Sequence, residues 1–460
     1  MMETGKRDSQ GRILFTKKMR KTHTILLPNM LPIHFALLRD IFCQAGYRAE
    51  LLTNTGHQVV EEGLKYVHND TCYPALLVIG QIIDALNSGK YDLEHIAVAI
   101  TQTGGGCRAS NYIHLLRKAL IKAGYETIPV VSLNLAGMER NTGLPITISI
   151  LKKALCAVVY GDMLMLLRNQ VKPYEIHPGE AETLTQRWIQ ELSGQLQHSL
   201  GMRTSAVRKN LRAIVADFAA IRLDHSRNKI KVGIVGEIYV KYSSLANNGL
   251  EEFLQQQGCE VSVPGLMGFL LYCISNIVED ARLYGGGGAK AFAARMGLNY
   301  LIGQENLIRS ALKGYPQFVA PGGFAHMVSL TQGVISRGAK MGEGWLLPAE
   351  MMELIEQGYE NIVCTQPFGC LPNHICGKGV LSRIKKLCPG ANIVAIDYDP
   401  SATKVNQENR VKLMLAVAKE NMEQKRTEDA AKDVQQTLQE PGEIARKRKK
   451  GQDMQIPLGG

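Results

Sequence analysis

The stretch Thr101-Gln-Thr-Gly-Gly-Gly-Cys-Arg-Ala-Ser-Asn-Tyr112 joins a predicted strand to a predicted helix. The apolar run His95-Ile-Ala-Val-Ala-Ile100 is typical of a buried strand, and the periodic segment from Tyr112 to Ala123 is typical of a helix. The glycines between them allow the backbone to turn tightly and to approach another group closely. Because Cys107 lies where the helix begins, the partial positive charge of a helix N-terminus predicts a lowered pKa for its thiol. The sequence therefore predicts a reactive thiolate here, either a metal ligand or a nucleophile.

Strand–helix alternation extends from this loop in both directions as far as residue 145. The predicted strands of this region are 22–28, 47–52, 95–100 and 128–133, and the predicted helices are 32–45, 75–86 and 112–123. Such alternation predicts a mostly parallel sheet that is covered by helices.

Residues 145–228 are predicted to be helical throughout, and at residue 229 the alternation of strands and helices begins again. Its predicted strands are 231–235, 260–264, 317–320, 361–365 and 392–397, and its main helices are 248–257, about 265–283, about 289–297, from 380, and about 402–424. We expect an α/β protein with two flavodoxin- or Rossmann-like parallel-sheet domains that are joined by a helical connector. The predicted boundaries are a flexible tail at 1–21, domains at 22–145 and 229–424, the connector at 146–228 and a disordered basic tail at 425–460.

The composition excludes several classes of protein. The 460 residues are 45% hydrophobic and 21% charged, as in ordinary globular proteins, and no apolar run is long enough to predict a membrane span. Because the segment Met1–Gln10 lacks the apolar centre of a secretory signal, we expect a cytoplasmic protein with reduced or metal-bound cysteines. Part of the net charge of +11 lies in the run Ala445–Lys450, which is typical of a solvated tail. No nucleic-acid-binding motif accompanies that run, so neither nucleic acid nor membrane is an expected partner.

Two more cysteines lie in settings like that of Cys107. Cys72 precedes the predicted helix 75–86, and Cys370 lies between the strand 361–365 and the helix that follows it. Because ligands of open α/β sheets bind at the carboxyl ends of the strands, the three thiolates predict a shared iron–sulfur cluster between the two domains. Three protein ligands leave one iron of a four-iron cluster open to water or to a substrate oxygen.

Packing is the competing interpretation of these thiols. Free cysteine is often buried for packing alone, and the chain contains no C-x-x-C pair that would mark a metal site. Cys376, six residues after Cys370, is either a fourth ligand or a spare thiol, and His374 is either an acid/base group or a surface residue. The other cysteines are predicted to be core or incidental residues: Cys43, Cys156, Cys259, Cys273 and Cys364 in the core, and Cys388 in a loop.

Taken together, the cysteine stretches resemble the 2-hydroxyacyl-CoA dehydratase and benzoyl-CoA reductase family. They are most similar to the dehydratase-like portion of large activase-fusion proteins, and the resemblance covers roughly residues 22–420. The stretches that carry it are Asn69-Asp-Thr-Cys-Tyr-Pro-Ala75, Thr101–Tyr112, Gln366-Pro-Phe-Gly-Cys-Leu-Pro-Asn-His374, Gly236-Glu-Ile-Tyr-Val-Lys241 and Ile396-Asp-Tyr-Asp-Pro-Ser-Ala402.

The resemblance implies a [4Fe–4S] cluster between two α/β domains, held by Cys72, Cys107 and Cys370, with Cys376 as a possible addition. In that family an ATPase activator with its own iron–sulfur cluster delivers one low-potential electron. The electron turns an acyl-CoA thioester into a ketyl radical in the dehydratases and reduces an aromatic ring in the reductases. Since this chain lacks the activator's ATP-binding motifs, the resemblance implies that the activase is a separate polypeptide.

The same resemblance implies a dehydratase-like lyase or an ATP-dependent reductase component that forms a homo- or heterodimer. Arg108, next to Cys107, is a candidate for tuning the charge of the cluster, and His374 is a candidate for moving protons. Two other functions remain open from the sequence. One is a non-catalytic iron–sulfur protein that relays electrons or serves as a scaffold, and the other is a metal-free α/β ligand-binding protein.

Overall fold

The computed structural model describes residues 6–9, 11–68, 70–102, 106–134, 144, 147–226 and 228–450, with the side chains of 102, 133–134 and 429–450 excepted. Within these residues the strands form two four-stranded sheets of orders β2-β1-β3-β4 and β6-β5-β7-β8. Every strand pairing in both sheets is parallel. The predicted α/β fold with two parallel sheets is confirmed. Both sheets have the flavodoxin-like order, in which the second strand is added on one side of the first and the later strands are added on its other side.

The first sheet and its helices occupy the N-terminal part of the chain. The strands are β1 (Thr24–Leu27), β2 (Arg48–Leu51), β3 (Ile96–Gln102) and β4 (Val130–Asn134). The helices are α1 (Met19–Thr22), α2 (Pro32–Gln44), α3 (His57–Tyr66), α4 (Tyr73–Asn87) and α5 (Tyr112–Lys122). Residues Ala97–Ile100 of β3 are all buried, as expected for a parallel strand that is covered by helices on both faces.

Three long helices follow and, as a group, contact elements of both halves of the chain. They are α6 (Ile148–Val171), α7 (Glu180–Gln197) and α8 (Thr204–Ala219). The side chain of Asp162 on α6 accepts hydrogen bonds from the His34 ring on α2 at 2.8 Å and from the backbone N–H groups of Leu266 and Met267 at 2.8 and 2.9 Å. One buried carboxylate therefore ties the first half of the chain to a helix of the second half.

The second sheet is built in the same way, with a longer set of helices. Its strands are β5 (Lys231–Gly236), β6 (Glu260–Ser262), β7 (Asn361–Pro367) and β8 (Asn392–Tyr398). Its helices are α9 (Ile238–Tyr242), α10 (Leu250–Gln256), α11 (Leu266–Tyr284), α12 (Gly288–Leu312), α13 (Phe324–Ser329), α14 (Leu346–Glu356), α15 (Leu371–Asn373), α16 (Leu381–Leu387) and α17 (Lys404–Lys450). Among the described residues, no helix is both long and apolar enough to span a bilayer.

The predicted strand at 317–320 is wrong. The side chain of Gln170 on α6 forms both hydrogen bonds of the Val319 backbone, donating to its oxygen at 2.9 Å and accepting from its N–H at 2.8 Å. Because a side-chain amide satisfies this peptide group, the segment needs no neighbouring strand.

Two predictions about the ends of the chain also differ from the structure. Phe15, in the segment predicted as a flexible tail, is 3% exposed and packs in a cluster with Ile25 and Ala97. The helix α17 continues past the predicted end at 424 as far as Lys450, through a segment rich in Ala, Gln, Glu and Lys. Ala, Gln, Glu and Lys have high intrinsic helix propensity, which the low apolar content of the segment does not show. Residues 1–5 and 451–460 of the two predicted tails lie outside the described residues.

Candidate metal centre

Cys107 and Cys370 occupy equivalent places in the two halves. Cys107 follows β3 and Cys370 follows β7, and each of these strands pairs with the first strand of its own sheet. In this strand order the crevice at the carboxyl ends of the two central strands is the usual ligand site. Of the three glycines before Cys107, only Gly106 lies in the described part of the chain.

Cys72 lies close to the Cys107 loop of the same half. Its backbone opens α4, and its sulfur is 3.1 Å from the hydroxyl of Tyr112, the first residue of α5. The Arg108 guanidinium donates a hydrogen bond to the backbone oxygen of Asp70. The segments that carry Cys72 and Cys107 are therefore joined by a side-chain contact and by a side-chain-to-backbone hydrogen bond.

Cys370 is held from the second half. Its sulfur accepts a hydrogen bond from the Asn373 amide at 3.3 Å, and the same amide nitrogen donates to a carboxylate oxygen of Glu343 at 3.1 Å. The other oxygen of Glu343 accepts from the backbone N–H of Ile238 at 3.0 Å. The neighbouring Glu237 accepts from the N–H of Val240 at 2.8 Å, which caps α9. Two carboxyl groups thus lie at the carboxyl end of β5, beside the Cys370 turn.

The two halves meet at these groups. An ionised Glu237 carboxylate would raise the pKa values of Cys72, Cys107 and Cys370, and an ionised Cys370 would raise that of Cys72. A Cβ atom on Gly106 would overlap the sulfur of Met341, which belongs to the second half. The structure therefore brings the three predicted cysteines toward one space that residues of both halves line.

Burial sets the protonation of the thiols. It raises the pKa of Cys370 to about 12 and raises the pKa values of Cys72 and Cys107 as well. The N–H of Ala109 lowers the pKa of Cys107, but this effect is smaller than the cost of removing a thiolate from water. The predicted lowering of the Cys107 pKa is therefore wrong for the metal-free protein. A helix of only four residues, Arg108–Asn111, follows Cys107, and desolvation outweighs its dipole.

The two carboxyl groups have raised pKa values too. Burial and the neighbouring Glu343 raise the pKa of Glu237 to about 8, and burial raises the pKa of Glu343. Neither glutamate is among the site residues predicted from the sequence, although Glu237 lies in the stretch Gly236–Lys241 that carries the resemblance. Glu237 had a usable signal, because it directly follows β5 at the edge of the sheet where ligands bind. Glu343 lies in a loop that has no motif, so only the fold places it near the thiols.

The two candidate catalytic residues lie near the cysteines but contact other groups. Arg108 contacts the backbone of Asp70, as described above. His374 begins a turn of π-helix, His374–Lys378, directly after α15. Its Nε2 atom lies 3.6 Å from a carboxylate oxygen of Asp397 and has no hydrogen-bond partner among the described residues. The Lys378 ammonium is 3.6 Å from the other oxygen of Asp397.

The remaining cysteines differ from Cys72, Cys107 and Cys370 in their position and burial. Cys376 is buried in the π-helical turn, where burial and Glu343 raise its pKa to about 11. Cys156, Cys259 and Cys364 are buried as predicted, whereas Cys273 and Cys388 are half-buried. Cys43 was predicted to be a core residue and is exposed, because it lies in the last turn of α2 on the face that leaves the core.

The donor atoms of the three cysteines and the two glutamates bear on what this site could bind. Among the described residues, no group of three or more His, Cys, Asp or Glu side chains is arranged to hold one metal ion. A cluster binds each thiolate through a different iron, so its ligands lie farther apart than those of one tetrahedral ion. Three partly buried thiols beside two carboxyl groups form an acidic, sulfur-rich space that a positively charged iron core would stabilise.

Comparison of the chain with known protein families gives no match, and comparison with curated protein sequences gives none either.

Proposed function

We propose that this chain is the iron–sulfur component of a 2-hydroxyacyl-CoA dehydratase-like or reductase-like system. In this proposal it accepts low-potential electrons from a separate ATP-dependent activase that carries its own cluster. The observation that carries the proposal is the approach of Cys72, Cys107 and Cys370, from both halves of the chain, to the carboxyl group of Glu237. The resemblance of the cysteine stretches to that family supports the same assignment.

Cys72, Cys107 and Cys370 would hold a [4Fe–4S] cluster, which supplies one-electron transfer and an open iron when it is bound. The Tyr112 hydroxyl and the Asn373 amide would then orient two of the three sulfurs through hydrogen bonds. Because all three thiols are at least half-buried, the surrounding residues limit the access of water to the site.

Glu237 offers a proton at the same place. Burial and the neighbouring Glu343 raise the pKa of this carboxyl group, which favours its protonated form. A protonated acid beside an open metal site can donate to a leaving hydroxyl group, which a dehydratase must expel. The geometry of the carboxyl ends of β5 and β7 therefore supports a dehydratase-like reaction of an acyl-CoA thioester, with Glu237 as the proton donor.

The surface around Cys370 supports a protein partner. Phe368 and Leu371, on either side of Cys370, are each 68% exposed, and the nearby Ile375 and Met341 are exposed as well. An apolar patch of this kind often marks a protein contact. A partner that docks here would place its own redox centre near the thiols, as electron delivery by an activase requires.

Anaerobic purification with cluster reconstitution tests the proposal. Iron and sulfide analysis and EPR of the dithionite-reduced protein should show a cluster in the wild type and its loss in Cys107→Ala. The matched control is Cys388→Ala, which removes a half-buried loop cysteine and should keep the cluster. A wild-type protein that remains free of iron after reconstitution would overturn the proposal and favour a metal-free ligand-binding protein.

Addition of an acyl-CoA to the reconstituted protein distinguishes a catalytic component from a protein that only relays electrons or serves as a scaffold. A 2-hydroxyacyl-CoA should change the EPR spectrum if an open iron receives its oxygen. A cluster whose spectrum responds to no acyl-CoA, aliphatic or aromatic, would instead favour an electron-relay or scaffold protein.

A further inference from the structure

Asn373 is the polar side chain that contacts Cys370 most directly. It is 0% exposed and is the last residue of α15, whose first residue follows Cys370. Its amide nitrogen makes two hydrogen bonds, to the Cys370 sulfur at 3.3 Å and to Glu343 at 3.1 Å. Its amide oxygen has no hydrogen-bond partner among the described residues. The two hydrogen bonds of the NH₂ group therefore fix the orientation of the side chain, although they leave the amide oxygen without a partner among the described residues.

Glu343 determines which way this amide points. One carboxylate oxygen accepts from the Ile238 N–H, so the carboxylate is itself fixed against the start of α9. The other oxygen accepts from Asn373. If the amide turned over, its oxygen would face a carboxylate oxygen, and the two acceptors would repel one another. The arrangement keeps the NH₂ group directed at the Cys370 sulfur.

We propose that Asn373, oriented by Glu343, is a positioning residue that fixes Cys370 as a ligand and sets the reduction potential of the cluster. This inference rests on the proposed function. A hydrogen bond donated to a cluster sulfur stabilises the more negative, reduced state, so it raises the reduction potential. Because the donor is fully buried, water does not replace it when it is removed.

Two variants test the inference from different positions. Asn373→Leu removes the donor and keeps an apolar side chain of similar size at the buried position. Glu343→Gln leaves one acceptor oxygen for the two donors Ile238 and Asn373. When that oxygen stays with the Ile238 N–H, the new NH₂ group faces Asn373, and the Asn373 amide turns its own NH₂ group away from the sulfur. The measurement is an anaerobic redox titration followed by EPR, with iron per chain determined on the same samples.

The matched control is Asn392→Leu. The Asn392 amide also makes two hydrogen bonds, to Asn361 and to the Met414 backbone oxygen, but it lies at the amino end of β8, whereas Cys370 follows the carboxyl end of β7. We expect Asn373→Leu to shift the midpoint potential to more negative values and Glu343→Gln to move it away from the wild-type value, both with iron retained, and the control to keep the wild-type potential.

The outcomes separate this inference from the proposed function. Wild-type iron content with an unchanged potential in both test variants overturns the inference and leaves the cluster in place. A wild-type protein without iron overturns both. A variant that fails to fold is recognised by circular dichroism, and the other variant then decides the question, because each acts on the same hydrogen bond.

Discussion

The Tyr112 hydroxyl lies 3.1 Å from the Cys72 sulfur and so links the first turn of α5 to the start of α4. Burial raises the pKa of Tyr112 well above its ordinary value, so the phenol stays protonated and can donate to a thiolate. In the metal-free protein the Cys72 thiol is protonated, because burial raises its pKa as well. The same contact is therefore a neutral hydrogen bond without a cluster and a charge-assisted one with it.

Tyr112→Phe should therefore destabilise the loaded protein more than the metal-free protein. A neutral hydrogen bond is worth about 1 kcal/mol of stability, and a bond to a charged group is worth roughly twice that. Thermal unfolding of the two forms, measured side by side under anaerobic conditions, compares the two losses. The control is Tyr300→Phe, which removes a hydroxyl from an exposed ring on α12 and should change neither form. An equal loss in both forms would show that the Cys72 sulfur does not become a thiolate.

Cys376 provides a second test, because the sequence left it as either a ligand or a spare thiol. The structure buries it in the π-helical turn. We expect Cys376→Ala to keep the iron content of the wild type, whereas Cys72→Ala and Cys370→Ala each lose the cluster. Iron and sulfide analysis after reconstitution checks this. Loss of iron in Cys376→Ala, with an unchanged circular dichroism spectrum, would make Cys376 a fourth ligand.

The fold is predictable because its buried strands have a recognisable sequence pattern. Parallel strands covered on both faces are nearly continuous apolar runs, and β3 and β7 follow this rule. Errors arose where the pattern depends on a partner that is far away in the chain. The 317–320 segment is apolar enough for a strand, but Gln170, about 150 residues earlier, takes its backbone hydrogen bonds. No local pattern carries that information.

Of the residues at the candidate site, only the cysteines are predictable from the sequence. The glycine-rich loop and the helix starts drew attention to them, but their pKa values depend on burial, which the sequence does not show. The same limit applies to Glu343 and Asn373. Neither has a motif, and each matters because the fold places it beside Cys370. Only tertiary contacts bring such polar residues next to a candidate ligand, so the periodicity and spacing of the sequence cannot identify them.

The buried ion pair between Lys241 and Glu350 should be strongly coupled. The Lys241 ammonium lies 3.0 and 3.2 Å from the two carboxylate oxygens of Glu350, and both side chains are buried. Lys241→Met leaves a buried carboxylate without its cation, so we expect a loss of about 3–5 kcal/mol in the free energy of unfolding. Urea denaturation of the metal-free protein measures this loss.

The double variant Lys241→Met with Glu350→Leu is the matched comparison. It removes the stranded charge as well, so it should be more stable than Lys241→Met alone. A single variant that loses less than about 1 kcal/mol, or a double variant that loses the sum of the two single losses, would show that the pair is not coupled.

Glu353 should make the stability of the protein depend on pH. It lies on α14 beside a cavity of about 90 Å³, where its carboxyl group accepts a hydrogen bond from the Gly322 N–H at 2.6 Å. Burial, with smaller contributions from Glu350 and Glu305, raises its pKa from 4.5 to about 7, against the lowering effects of the Gly322 N–H and His326. The folded protein therefore binds this proton more tightly than the unfolded chain does. Between about pH 4.5 and 7, the contribution of Glu353 to stability falls as the pH rises.

Glu353→Gln should remove that contribution, because the amide oxygen can still accept from Gly322 and carries no charge. We compare the free energies of unfolding of the variant and the wild type at each pH. We expect the difference, variant minus wild type, to be about 2 kcal/mol larger at pH 8 than at pH 5. Urea denaturation of the metal-free protein across this range measures the difference, and subtracting the two curves cancels the other titrating groups. Glu252→Gln, on the exposed face of α10, is the control and should follow the wild-type curve. Parallel curves for the wild type and Glu353→Gln would mean that the Glu353 carboxyl group is already ionised in the folded protein at pH 5.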